Sequence, residues 1–378
     1  MKNPFEYGGV VSGEAFCNRR KELAELGRAM ENADKLFVLS ERRYGKTSLV
    51  RSALDKLPRK KFVSAYVDLW PTDSEATFVA AVAKAIAESM STSTEKLIET
   101  AKKFFGNLVP SITADEDGKP VLSFGMAKHA RIEPVLEEVL ETPAKIASKN
   151  GPRVVVVMDE FQQMLEYGSE LVERKLRSVI QHHRHVSYIF LGSRKHLIHK
   201  MVLDKNRPLY RAGGHYPLGP IAEKEWQPFI RRHFTDANKR IDETAIHQVC
   251  EMTQGHPFYT QHLCHALWEL CDPKNKVTSE MIREALRLLL DRESYAYTTL
   301  WESLTLPQKR FLKGLAAEAP GVRVFAGEFV NRYGLSSASN AQRAVDALLT
   351  RDAIDRDNGS FVISDRFFRL WIQSAQTV

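Results

Sequence analysis

LFVLSERRYGKTSLV, residues 36 to 50, is the stretch that decides the fold. Leu36-Phe37-Val38-Leu39 reads as a short buried strand. It breaks into Ser40-Glu41-Arg42-Arg43-Tyr44-Gly45-Lys46-Thr47, and a helix is expected over residues 45 to 57. The spacing follows the phosphate-binding pattern GxxxxGK[ST], with Ser40 where the first glycine is expected. The residue types suit that chemistry. Gly45 lets the backbone approach an anion with no Cβ in the way. Successive N–H groups and the helix N-terminus attract negative charge. Lys46 would contact the β- and γ-phosphates of a nucleotide, and Thr47 would ligate Mg²⁺. The serine at position 40 puts only the first turn of the loop in doubt.

Working outward, RVVVVMDEF (residues 153 to 161) reads as a parallel strand apolar on both faces and ending in two acids. It is expected beside the loop strand. Asp159 would then complete the Mg²⁺ site, and Glu160 would orient or polarise an attacking water. The bland alternative makes Glu160 a helix cap. A second such strand, VSYIFLGSR, ends in Ser193-Arg194. Arg194 is placed to sense a γ-phosphate and stabilise its charge; otherwise it is a surface arginine. Arg207 and Arg211, in NRPLYR, are candidates for arginine fingers acting in trans or for ordinary salt bridges. FVSAYVDLW, residues 62 to 70, adds a further strand, and helices alternate with all of these. The pattern predicts an α/β core, a parallel sheet flanked by helices, ending near residue 220. Residues 91 to 130 are less regular. They hold a helix over 96–105 and a hairpin in ITADEDGKPVLSFG with its turn at Asp117-Gly118.

Residues 222 to 291 read as all helical. After Tyr295, short helices lead to AIDRDNGSFVI, where Asn358-Gly359 is a strong hairpin turn. Three helices and a hairpin outline a winged helix-turn-helix. Its expected recognition helix lies in SSASNAQRAVDALLTRDAI, residues 336 to 354. There Asn340, Gln342 and Arg343 have the chemistry to reach base edges of double-stranded DNA. The charge of this region is close to balanced, so a protein-binding role stands beside DNA binding.

Composition sets the frame. The chain has 378 residues, 43% of them hydrophobic and 27% charged, which suits a folded protein of two or three domains. The net charge of +7 permits contact with nucleic acid without demanding it. Four cysteines with no CxxC pair suggest reduced core thiols and a cytoplasmic protein. No apolar run reaches the roughly 18 residues of a membrane span. MKNPFEYGG lacks the apolar core of a signal peptide. The histidines of QHHRH and HLCH lack zinc-module spacing and read as helix-end and lid residues.

With these residues together, the chain resembles the archaeal-type P-loop ATPases, a family near the AAA+ and STAND classes. Five stretches carry the resemblance, which spans residues 3 to 372. NPFEYGGVVSGEAFCNRRKEL is similar to the family's N-terminal segment, SERRYGKTSLV to its Walker A, VVVVMDEFQQM to its Walker B, YIFLGSR to its sensor strand and TQGHPFYTQHL to its GxP lid element. The resemblance implies that Phe16 and Arg19 lie by the adenine and that Pro257 sets a lid loop against the nucleotide. The loop residues Arg42, Arg43, Tyr44, Gly45, Lys46, Thr47 and Ser48 would surround the phosphates. It also implies an α/β P-loop NTPase core over 1–220, an α-helical lid over 221–293 and a winged helix over 294–378. No clear sensor arginine stands at the lid position of ordinary AAA+ proteins, so a processive ring motor is not implied. The expectation is an ATP- and Mg²⁺-dependent, slowly hydrolysing switch, with Lys46, Glu160 and Arg194 as its catalytic set. Its partner would be DNA, a protein or a second copy of itself. A DNA initiator or transposition regulator and a nucleotide-holding signalling scaffold are the rival readings.

Overall fold

The computed structural model describes residues 2–91, 94–114, 120–147, 151–357 and 359–374. Helix α1 (Arg20–Glu31) buries Leu23, Leu26 and Met30, which share one face at helical spacing. β1 (Lys35–Leu39) runs into the phosphate loop and α2 (Lys46–Asp55). β2 (Phe62–Asp68) leads to α3 (Glu75–Met90), where Ser74 and Thr77 form a reciprocal capping box. α4 (Thr94–Phe104) precedes the antiparallel hairpin β3 (Leu108–Ala114) and β4 (Pro120–Met126). The turn expected at Asp117-Gly118 lies outside the described residues. α5 (Ile132–Ile146), β5 (Arg153–Asp159), α6 (Leu171–Ile180), β6 (Val186–Gly192), α7 (Lys195–Leu203) and β7 (Gly214–Pro217) complete the core.

The five parallel strands lie in the order β2-β5-β6-β1-β7. This corrects one expectation. The acidic strand β5 is not beside the loop strand β1, because β6 is inserted between them. The carboxylates reach the loop all the same, since all three strands end at one edge of the sheet. β5 and β6 are buried on both faces. Apolar residues of α3, α5 and α6 cover one face, and those of α1 and α2 cover the other. Strand β7 is short and mostly exposed, and the sequence reading named no strand there.

The C-terminal part is helical, as expected. α8 (Glu223–Asp236), α9 (Glu243–Thr253) and α10 (Pro257–Leu270) are followed by α11 (Ser279–Glu302), one continuous helix through position 294. α12 (Leu306–Ala317), α13 (Gly327–Arg332), α14 (Ala338–Thr350), the hairpin β8 (Ile354–Asp357) and β9 (Ser360–Ile363), and α15 (Arg366–Ser374) form the winged helix. Of its expected turn, Asn358 lies outside the described residues. Ser337 caps α14 by accepting from the Asn340 N–H at 3.1 Å. One hydrophobic core runs from Trp226 in α8 through Leu289 in α11 to Phe368 in α15. Phe5 and Cys17, at the two ends of the N-terminal segment, are buried in that same core. No helix among the described residues is long and apolar enough to cross a membrane.

Candidate functional site

The phosphate loop closes β1 onto α2. Gly45 sits at φ +77°, where a side chain is strained, and starts the helix. Ser40 is fully buried and outside the left-handed region, so its Cβ is tolerated where a glycine was expected. Its hydroxyl has a function in the loop: it donates to the Glu41 carbonyl at 3.0 Å and accepts from Lys46 Nζ at 3.0 Å. Lys46 also donates to the Glu41 carbonyl at 2.9 Å. The ammonium is thus held over the loop by two neutral acceptors.

Opposite the loop, the end of β5 supplies the acids. Asp159 Oδ2 accepts from Thr47 Oγ1 at 2.8 Å and from the Tyr66 hydroxyl, while Oδ1 accepts from the Glu160 N–H at 2.9 Å. Burial pushes the Asp159 carboxyl above its usual range, and the Tyr66 and Thr47 bonds pull it back down. Glu160 takes the left-handed conformation at φ +51°, a cost of about 1–3 kcal/mol for a residue with a Cβ. Its Oε2 accepts from Ser193 Oγ at 2.8 Å and from Gln162 Nε2. Glu160 is therefore oriented by β6 as well as by its own strand, and it does more than precede the short helical turn at Phe161–Tyr167.

These groups border a cavity of about 540 Å³ whose walls include Phe16, Arg19, Lys46, Thr47, Glu160 and Pro257. A second opening of about 420 Å³ on the acid side is lined by Thr47, Tyr66, Asp159 and Glu160. The loop residues Arg42, Arg43, Tyr44, Gly45 and Ser48 also line the larger cavity. Arg19 is buried, donates to the Tyr44 carbonyl at 3.4 Å and pairs with Glu22 at 3.0 Å. Ser48 Oγ accepts the Val11 N–H at 2.9 Å, which ties the N-terminal segment to α2. Pro257 opens α10 at its first helical position. Just before it, Gly255 packs so closely that a Cβ would meet the Ile221 carbonyl at 2.4 Å.

Sequence comparison gives this arrangement a family. A profile described as an ATPase domain predominantly from Archaea matches residues 16–263, more than half of the chain. The chain belongs to this ATPase-domain family. A second profile, described as a probable winged helix domain, matches residues 295–374 of the chain. No curated protein matches the sequence. Among solved structures, a Walker-type ATPase of Pyrococcus abyssi is similar over 98% of this chain and 99% of its own, at 15% identity and TM-score 0.64. The ORC2 protein of Aeropyrum pernix, solved as ADPNP–ADP complexes, is similar over 100% and 99%, at 12% identity and TM-score 0.56. At these identities the likeness is one of fold.

Not every expected site residue reaches the cavity. Arg194 lies outside it, with Nη2 at 3.2 Å from Asp352 of the winged helix. Arg42 approaches the same carboxylate oxygen at 3.8 Å. Arg207 is in a structural ion pair: its guanidinium holds Glu170 at 3.0 Å and also the buried Glu173. The salt-bridge alternative therefore describes Arg207. Arg211 is exposed and lies over the Tyr210 ring at 5.2 Å. On α14, Arg343 bonds Asn340, and Gln342 donates to Asp346 at 2.8 Å. These side chains satisfy one another along the helix surface.

Sequence reading did not assign four residues to this site. Tyr66 on β2 bonds Asp159, and Gln162 bonds Glu160. Asp352 and Arg366 come from the winged helix to the loop region. Position 66 alternates correctly within its strand to face the acidic edge, a signal available only once the strand order is known. His183, in the QHHRH run, is buried between Tyr188, at 2.9 Å from its Nδ1, and Glu141, at 3.2 Å from its Nε2.

Proposed function

We propose that the protein is a slowly hydrolysing ATP switch built from three working units, residues 1–220, 221–293 and 294–378. ATP occupies the cavity at the loop, with its base near Phe16 and Arg19 and its phosphates along residues 42–48. The observation that carries the switch is the double contact of Asp352 with Arg194 and Arg42. The side chain expected to sense a γ-phosphate is occupied by a carboxylate of the winged helix. A γ-phosphate competes with Asp352 for the same cations. The shared core of lid and winged helix would carry them away together when the phosphate wins.

The oxygen donors Thr47 and Asp159, 2.8 Å apart at the loop, fit Mg²⁺, which favours one or two protein oxygens plus phosphate oxygens. Thr47 and Asp159 would hold the ion, which when bound neutralises charge on the phosphates. Lys46 turns from Ser40 and the Glu41 carbonyl onto the β- and γ-phosphates. Ser193 and Gln162 orient Glu160, whose carboxylate accepts a proton from water. The water oxygen bonds to the γ-phosphorus as the bond to the β,γ-bridging oxygen breaks, and ADP leaves with that electron pair.

Glu160→Gln tests the catalytic part. It should bind ATP as the native protein does while phosphate release falls about 10²–10⁴-fold. Undiminished turnover in this variant contradicts the role of Glu160. The exposed face of α14, with Ser339 and Arg343, is the natural partner surface of the winged helix. Salt-sensitive duplex binding strengthened by ATP would identify DNA as that partner; ATP-dependent binding insensitive to salt would favour a protein.

A further inference from the structure

The phosphate loop contains a buried carboxylate. Glu41 is 4% exposed, and its neighbours along the loop are built to attract anions. A fixed negative charge there opposes a nucleoside polyphosphate, and in a site screened from water the opposition is strong. The charge is answered from across the molecule. Arg366, the first residue of α15 and 6% exposed, places Nη2 at 2.8 Å from Glu41 Oε2. Its Nη1 donates to the Ile363 carbonyl at 2.7 Å, so the guanidinium is fixed by the winged helix's own backbone. The Glu41 carbonyl, in turn, accepts both Lys46 Nζ and the Ser40 hydroxyl. A chain of contacts therefore runs from the winged helix through Glu41 to the lysine expected to hold phosphate.

We propose that Arg366 completes the phosphate-binding loop from the winged-helix domain, as a positioning residue that acts through Glu41. It neutralises the loop carboxylate and fixes the backbone that carries Lys46. The inference rests on the reading of the cavity as a nucleotide site. Its consequence is reciprocal: the docked winged helix tightens nucleotide binding, and bound nucleotide tightens docking by the same factor. ADP, which lacks the γ-phosphate that competes with Asp352, would gain the full effect.

The test is a charge cycle read by calorimetric titration of the full-length protein with ADP and with ATP. Arg366→Gln removes the guanidinium held against Glu41 and should weaken ADP binding at least tenfold. Glu41→Gln with Arg366→Gln removes both charges and should return ADP affinity to within about threefold of native. A purely structural role for Arg366 predicts a lower melting temperature with no such rescue. Should Arg366→Gln not fold, Arg366→Lys keeps the charge at a shorter reach and should weaken ADP about threefold. Native ADP affinity in a folded Arg366 variant, or a double variant as weak as Arg366→Gln, overturns the assignment. A native protein that binds neither ADP nor ATP overturns both this inference and the nucleotide reading beneath it.

Discussion

Asp159 and Glu41 are both buried carboxylates near the phosphate loop, and they are compensated in opposite ways. Asp159 accepts from two hydroxyls and a backbone N–H, and among the described residues it makes no ion pair. Glu41 is closed by the guanidinium of Arg366. Neutral donors orient an anion but leave its charge largely uncompensated, and burial then favours the protonated form. The raised pKa of Asp159 expresses that deficit. A full cation removes it. One carboxylate is thus left with charge uncompensated, and the other already has a cation, supplied by a different part of the chain. The pair teaches that burial alone does not set the electrostatics of a carboxylate; the charge of its partners does.

The largest effect that would sharpen this contrast concerns the metal. Asp159→Asn should lower the affinity of the ADP complex for Mn²⁺ by about 10²-fold, read by electron paramagnetic resonance, because a charged ligand becomes a neutral one. Glu41→Gln in the same measurement should leave Mn²⁺ affinity within about twofold. Equal losses in both variants would erase the distinction. A smaller effect is expected from Tyr66→Phe. It removes one donor that orients Asp159 without touching its charge, and should weaken Mn²⁺ about tenfold, the low end of the 10–100-fold range for residues that support a metal ligand. No change would reduce Tyr66 to a packing role.

Much of this was legible in the sequence. Leu36 to Leu39, the loop through Thr47 and the four valines before Asp159 each announce strand, turn and chemistry within a few residues. Local signals also located Ser193-Arg194 and the β8–β9 hairpin. What escaped was set by tertiary structure. The insertion of β6 between β1 and β5 is a matter of strand order, which periodicity does not encode. β7 is four residues, Gly-His-Tyr-Pro, with neither alternation nor an apolar run. The ion pair of Glu41 with Arg366 joins residues 325 apart. Arg194 was singled out as a sensor from its place after β6, but its present partner, Asp352, lies in another domain. Arg207 could be read as a finger or a salt bridge because the acids that hold it, Glu170 and Glu173, reach it only in the fold.

The central claim is that nucleotide state moves the winged helix relative to the ATPase core. Ser178 on α6 and Ser339 on α14 are exposed, and all four native cysteines are buried. Spin labels at Ser178→Cys and Ser339→Cys, in a Glu160→Gln background that holds ATP, allow the distance between the two domains to be measured by pulsed dipolar resonance. The account predicts one short-range distribution with ADP, matching the docked arrangement, and a displaced distribution with ATP and Mg²⁺. Identical distributions with saturating ADP and ATP would contradict it.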